Sequence, residues 1–140
     1  MLKRVGFTGT QAGMTRQQRI ELDGYLRGLR VVHTLSEFHH GDCIGADSNF
    51  HSYLVARLLK WQAYDLIFIH PPEDESKRAW CYSKNIFAPR PYLERNRDIV
   101  DAVDILIATP RQQYEVVRSG TWATIRYARK MGRKVRIIWP

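Results

Sequence analysis

The stretch DILIAT, Asp104–Thr109, decides the fold. It is a short apolar run without the in–out alternation of a half-exposed strand, as expected of a strand covered on both faces. DLIFIH, Asp65–His70, reads the same way. Strands of this kind sit in parallel sheets, and parallel neighbours need a crossover helix between them.

Outward from these two runs the chain alternates. Val5–Thr10 (VGFTGT) is a short apolar run closed by Gly and Thr and reads as a strand. Thr15–Leu29 reads as a helix, with Thr15 as N-cap and Leu22, Tyr25, Leu26 and Leu29 on one face. Thr34–Gly41 reads as a second strand, with Leu35, Glu37 and His39 alternating against Ser36 and Phe38. Ala46–Leu59 is a helix with Ala46, Phe50, Tyr53, Leu54 and Leu58 facing inward, and Tyr92–Val103 is another. Gly120–Met131 is the last helix, and Lys134–Trp139 the last strand. Five strands alternating with four helices predict one three-layer α/β domain over residues 1–140, an open parallel sheet with helices on both faces. The expected strand order is 3-2-1-4-5, given right-handed crossovers. The segment Pro71–Pro91 is too long for an ordinary connection and is expected to be functional, as a lid or a dimer contact.

Composition bounds the rest. The 140 residues are 44% hydrophobic, enough for a core, and carry a formal charge of +8, which favours anionic partners. The basic residues are spread along the chain and are dense only in RYARKMGRKVR, Arg126–Arg136. No apolar run reaches membrane-spanning or signal-peptide length, so neither a membrane nor secretion is expected. Cys43 and Cys81 lie far apart with no CxxC pattern and are read as free thiols in a cytoplasmic, reducing setting.

In an open parallel sheet, ligands bind beyond the C-terminal strand ends, at the switch point between the first and fourth strands. Four stretches are placed there. The first, GFTGTQAGMT, offers Thr8, Gly9, Thr10 and Gln11 to a phosphate. Its glycine spacing matches neither GxGxxG nor GxxxxGK[ST], and the alternative is a tight strand-to-helix turn. The second, HHGDCIGAD, sets Gly41 and Gly45 around Asp42 and Cys43, with Asp47 at the helix start. His39, His40, Asp42 and Cys43 invite a metal reading, but strand neighbours point to opposite faces, so no metal and no cofactor is expected. Asp47 stabilises the helix dipole or accepts hydrogen bonds from a ribose.

The third stretch is YLERNRDIVDAVD. Asn96 shares the inward face of Ile99 and Val100 and must bond to backbone or face a ligand. Arg95 and Arg97 flank it, as ligand contacts or as solvated charges. The fourth is RSGTWATIRYARK, Arg118–Lys130, where Ser119 or Thr121 caps the helix and Gly120 permits close approach. Arg118 and the free first amides of the helix make an anion site.

The ordered set resembles the SLOG superfamily, the Rossmann-like group of the lonely-guy phosphoribohydrolases and the DprA/Smf single-strand DNA proteins. The resemblance is carried by GFTGTQ, GDCIGAD, the RN of LERNRDIV, and DILIATP followed by RSGTWATIRYARKMGRKVRII. It implies a Rossmann-like fold, a nucleotide-related ligand and a homo-oligomer. The departure is at the helix start: where lonely-guy enzymes carry PGGxGTxxE, this chain has RSGTWAT, and Thr124 stands in place of the glutamate. Arg95 resembles an arginine those enzymes use, but Asn96 follows it where they have Lys. Cleaving an N-glycosidic bond calls for a carboxylate, which threonine does not supply. Asp47, Asp42 and Glu94 are the substitutes, Asp47 first by position.

Three functions follow, in order: binding of a nucleotide or nucleotide-derived ligand by a sensing or sequestering module; an N-glycosidase or ribosyl transferase; and single-strand nucleic-acid binding. The third would use Trp80, Tyr82, Phe87 and Tyr92 with Lys77, Arg78, Lys84 and Arg90 in the long segment.

Overall fold

The computed structural model describes all residues, 1–140. The elements are β1 (Leu2–Gly9), α1 (Arg16–Val32), β2 (Thr34–His40), α2 (Ala46–Tyr53), α3 (Ala63–Leu66), β3 (Ile67–Ile69), β4 (Asn85–Ile86), α4 (Tyr92–Ala102), β5 (Ile105–Thr109), α5 (Gly120–Lys130) and β6 (Lys134–Ile137). They form one parallel sheet of order β4-β3-β2-β1-β5-β6. The α/β class is as expected, but the sheet has six strands, not five. The extra edge strand, β4, lies in the long segment and pairs Phe68 with Asn85 and Ile69 with Ile86. Two residues carry no periodicity, so it left no trace in the pattern. No helix is long and apolar enough to cross a membrane.

The core has two halves, one on each sheet face. The larger holds Val5, Phe7, Phe38 and Ile107 of the sheet against Leu22 and Leu26 of α1 and Phe50 of α2. Phe7 and Phe50 stack with centroids 4.3 Å apart. On the other face, Leu106 and Ala108 pack against Val100 of α4 and Ala128, Trp122 and Ile125 of α5.

Three local expectations are revised. In β2 the register with β1 shifts between Lys3 and Arg4, so that Lys3 pairs with Leu35 and Arg4 with Glu37. The extra residue, Ser36, resets the alternation, and Leu35 and Phe38 enter the same core. The helix expected to Leu59 keeps α geometry only to Tyr53, then widens into a π-helical turn over Leu54–Leu58. The strand expected from Asp65 starts at Ile67, because Asp65 and Leu66 close α3.

α1 is tied to the far side of the sheet at its start. The Thr15 hydroxyl accepts from the Gln18 amide at 3.0 Å, and Gln18 Oε1 accepts from the Thr15 amide at 2.9 Å, a reciprocal capping box. The same buried Gln18 donates through Nε2 to the carbonyls of Pro110 and Ile138, both at 2.9 Å. This holds the ends of β5 and β6 beneath the first turn of α1.

Candidate functional site

The loops after β1, β2 and β5 converge at one end of the sheet. The first is folded by its own groups: Thr10 accepts from the Gly13 amide through its carbonyl and from the Ala12 amide through its hydroxyl. The Thr10 carbonyl also accepts from the Ala46 amide at 2.9 Å, which docks this loop on the start of α2. Gly45 at that junction has φ +95, and a side chain there would run into the Gln11 backbone.

Three spaces open at this end, with Tyr92 as a shared wall: the widest, about 740 Å³, sets Glu73, Asp74 and Lys77 of the long segment opposite Gln11, Arg118 and Gly120, and the other two are an outer groove and an inner chamber. The outer one is a groove of about 370 Å³, lined among others by Thr10, Gln11, Arg111, Arg118, Gly120 and Thr121. At the start of α5 the Trp122 amide donates to Ser119 Oγ and the Ala123 amide to the Ser119 carbonyl. The amides of Gly120 and Thr121 are the unpaired pair that every helix start leaves over. Arg111 and Arg118 make no ion pair, and the walls of this groove carry no carboxylate, while Glu73 and Asp74 line the adjoining space that shares Arg118 and Gly120. Two cations and two helix-start amides thus lie along one groove, an arrangement suited to an anion.

The inner space is a chamber of about 20 Å³, bordered by Thr8, Gly9, Gly41, Asp47, Arg95 and Asn96, with room for one water-sized group. Arg95 is 3% exposed, so it is not a solvated flank. Its guanidinium donates to Asn96 Oδ1 at 2.8 Å, to the His70 carbonyl at 3.1 Å, to the Gly41 carbonyl and to Cys43 Sγ at 3.4 Å. A side chain at Gly41 would strike both the guanidinium and the Asp47 carboxylate, which bound the same space without forming an ion pair. Asp47 accepts from the Cys43 amide at 3.1 Å. Burial pushes its carboxyl up to about 6, against the opposing pull of Arg95. Asn96 is 7% exposed, and its Nδ2 has no partner. A buried amide donor with nothing to donate to, beside a carboxylate, fits a ligand hydroxyl or a water.

Other residues singled out by the sequence stand elsewhere. Asp42 is fully buried in left-handed backbone (φ 54) and turns to the long segment. One carboxylate oxygen accepts from Arg78 Nε at 2.9 Å and the other from the Cys81 amide at 2.8 Å, so both are occupied within the protein. Glu94 is exposed in the first turn of α4 and borders neither space, and Arg97 lies over the Tyr127 ring. Thr124 is buried and donates its hydroxyl to the Gly120 carbonyl at 2.9 Å, within its own helix.

His40, His51 and Cys81 have their donor atoms within 4.8 Å of one another, a spacing a metal could use. His40 Nδ1 accepts from the Asp42 amide at 3.0 Å, so neutral His40 carries its proton on Nε2 and donates it to His51 Nδ1 at 2.9 Å. Burial pushes the Cys81 thiol up to about 12. Without a metal, His40 and His51 are thus a hydrogen-bonded pair of the interior with the Cys81 thiol beside them. His39 and His70 form a second such pair at 2.8 Å, with Glu37 on the far nitrogen of His39.

In the long segment, three of the four cations assigned to nucleic-acid binding are engaged: Arg78 with Asp42, Lys84 with Asp65 and Arg90 with Asp98. Its aromatics remain exposed, Trp80 by 59% and Tyr82 by 60%.

Sequence reasoning missed Tyr92 and Arg111 as parts of the site. Tyr92 lies three and four residues before Arg95 and Asn96, one helical turn, and that spacing was its available signal. Comparison with known protein families, with curated proteins and with solved structures returned no match.

Proposed function

We propose that the protein binds a nucleotide or nucleotide-derived ligand, sensing or sequestering it, with the phosphate in the outer groove and a sugar hydroxyl reaching the inner chamber. The observation that carries this reading is the groove where Arg111 and Arg118, neither in an ion pair, meet the Gly120 and Thr121 amides at the start of α5. The unpartnered Asn96 amide beside Asp47, on the other side of Tyr92, supports a ligand with a polar group beyond its phosphate. The likeness of the motifs to the SLOG superfamily agrees with it. That likeness also implies a homo-oligomer, which light scattering reads directly; the exposed Trp80, Tyr82 and Phe87 offer it a contact surface.

The test is a thermal-shift panel of nucleoside mono-, di- and triphosphates, cyclic and linear dinucleotides, NAD and ADP-ribose. A ligand at a hundredfold its Kd stabilises by about 2.7 kcal/mol. A panel without a single shift overturns the reading.

A second reading, an N-glycosidase or ribosyl transferase, is favoured by one observation: Asp47 is a buried carboxyl pushed to about 6, near the working range of a general base. Release of free base or ribose by the wild type, lost in Asp47→Asn while binding persists, would establish it. Thr124, tied into its own helix, plays no part in such a step.

A further inference from the structure

α1 and α2 lie side by side on the face of the larger core, and a groove of about 430 Å³ runs between them, away from the spaces walled by Tyr92. The α1 side carries Arg16, Arg19, Ile20 and Asp23, the spacing of one helical stripe. The opposite side carries Asn49, Ser52, Tyr53, Ala56 and Arg57. Met14 and Leu22, both buried, form the floor. Two helical turns on each side make the groove about 11 Å long.

Its charge is one-sided. Asp23 is partly neutralised, its Oδ1 accepting from Arg27 Nε and from the Tyr53 hydroxyl, each at 2.7 Å. Arg57 faces Asp23 across the groove and draws its carboxyl down, while Arg16 and Arg19 form no ion pair. Ile20 stands 55% exposed beside them. The π-helical turn over Leu54–Leu58 carries Ala56 and Arg57 at the groove wall, and such turns are frequent at functional sites.

We propose that this groove is a second ligand site, for a small amphipathic anion: an apolar chain or ring system about 10 Å long ending in a carboxylate or sulfonate. Arg16 and Arg19 hold the head group, and the apolar body lies on Met14, Leu22, Tyr53 and Ala56. A partner helix, about 10 Å or more across, is too wide to enter a gap between two helices packed on one sheet. A bare phosphate would leave the apolar floor unused. The groove is a pocket of ordinary ligand size.

The test is a fluorescence titration of the full chain with 8-anilinonaphthalene-1-sulfonate. The expected result is one saturable site, displaced by decanoate and not by nucleoside monophosphates. The double variant Arg16→Glu, Arg19→Glu weakens binding at least tenfold. Ala56→Trp fills the groove and abolishes binding. These three positions are solvent-exposed, and an unchanged Tm shows that each variant is folded. Absence of saturable binding overturns the proposal. So does binding retained within twofold in either variant, or displacement by a nucleoside monophosphate, which would place the dye in the groove at α5.

Discussion

The Tyr92 hydroxyl occupies the space where a side chain on Gly120 would begin. The two residues open α4 and α5, and their contact closes the wall between the outer groove and the inner chamber. A ligand that uses both spaces must pass this wall, so Tyr92 has to turn for the chamber to be reached.

Gly120→Ala therefore acts on Tyr92 before it acts on the fold. The clash is with the far end of a side chain that is 44% exposed and free to swing outward. The expected change in Tm is within about 4 °C, the equivalent of about 1 kcal/mol. Nucleotide affinity falls, because the added methyl group and the displaced ring both crowd the groove. Calorimetric titration beside a melting curve separates the two effects.

Asp42 holds the long segment to the end of β2. Asp42→Ala leaves Arg78, 12% exposed, without its partner and the Cys81 amide without an acceptor. It also places alanine in left-handed backbone that Asp and Asn tolerate better. The expected loss is about 3–5 kcal/mol in urea unfolding. Asp42→Asn keeps the backbone preference and loses less. Limited proteolysis should cut the alanine variant first between residues 71 and 91.

The buried histidines set the acid limit. Burial holds His70 at about 3 and pushes His39, His40 and His51 down as well. A base whose folded value is depressed contributes stability that is complete above its ordinary value near 6.5 and is lost as pH falls towards the folded value. In the Asp47→Asn background, which removes the opposing contribution of that carboxyl, unfolding free energy should drop steadily from pH 6.5 to pH 4, and the loss should be smaller when His70→Gln is added. A flat profile over this range would contradict neutral burial of these rings.

Asp47 runs the other way. Its folded value near 6 lies above the ordinary 3.8, so its protonated form is favoured by folding. That contribution is complete below pH 3.8 and lost as pH rises through 6. At pH 8 the charged carboxylate costs roughly 3 kcal/mol, and Asp47→Asn should recover a measurable part of it. The stabilising effect of the variant should vanish below pH 4. An equal gain at pH 8 and pH 4 would show that charge burial is not its cause.

Much of the site could be read before any coordinates. Continuous apolar runs at Asp65–His70 and Asp104–Thr109 required a parallel sheet, and topology then named the loops that meet at its end. Thr10, Gln11, Gly120 and Asp47 are there for that reason. What stayed hidden depends on contacts between segments far apart in the chain. Asp42 looked like a ligand contact because nothing local shows that Arg78, 36 residues on, folds back to take its charge. Arg95 looked half solvated because three of its four acceptors are distant in the chain, Gly41 and Cys43 in the loop after β2 and His70 after β3. The π-helical turn leaves the inward stripe of Leu54 and Leu58 unchanged, so periodicity passes over it.

The most direct measurement is a map of amide chemical shifts in the isotope-labelled protein during titration with the best nucleotide from the thermal-shift panel. The account predicts the largest changes at Gly120 and Thr121, smaller ones at Thr10 and Gln11, and loss of the response in Arg118→Glu with the fold intact. Changes centred elsewhere, or an unaltered response in Arg118→Glu, would contradict it.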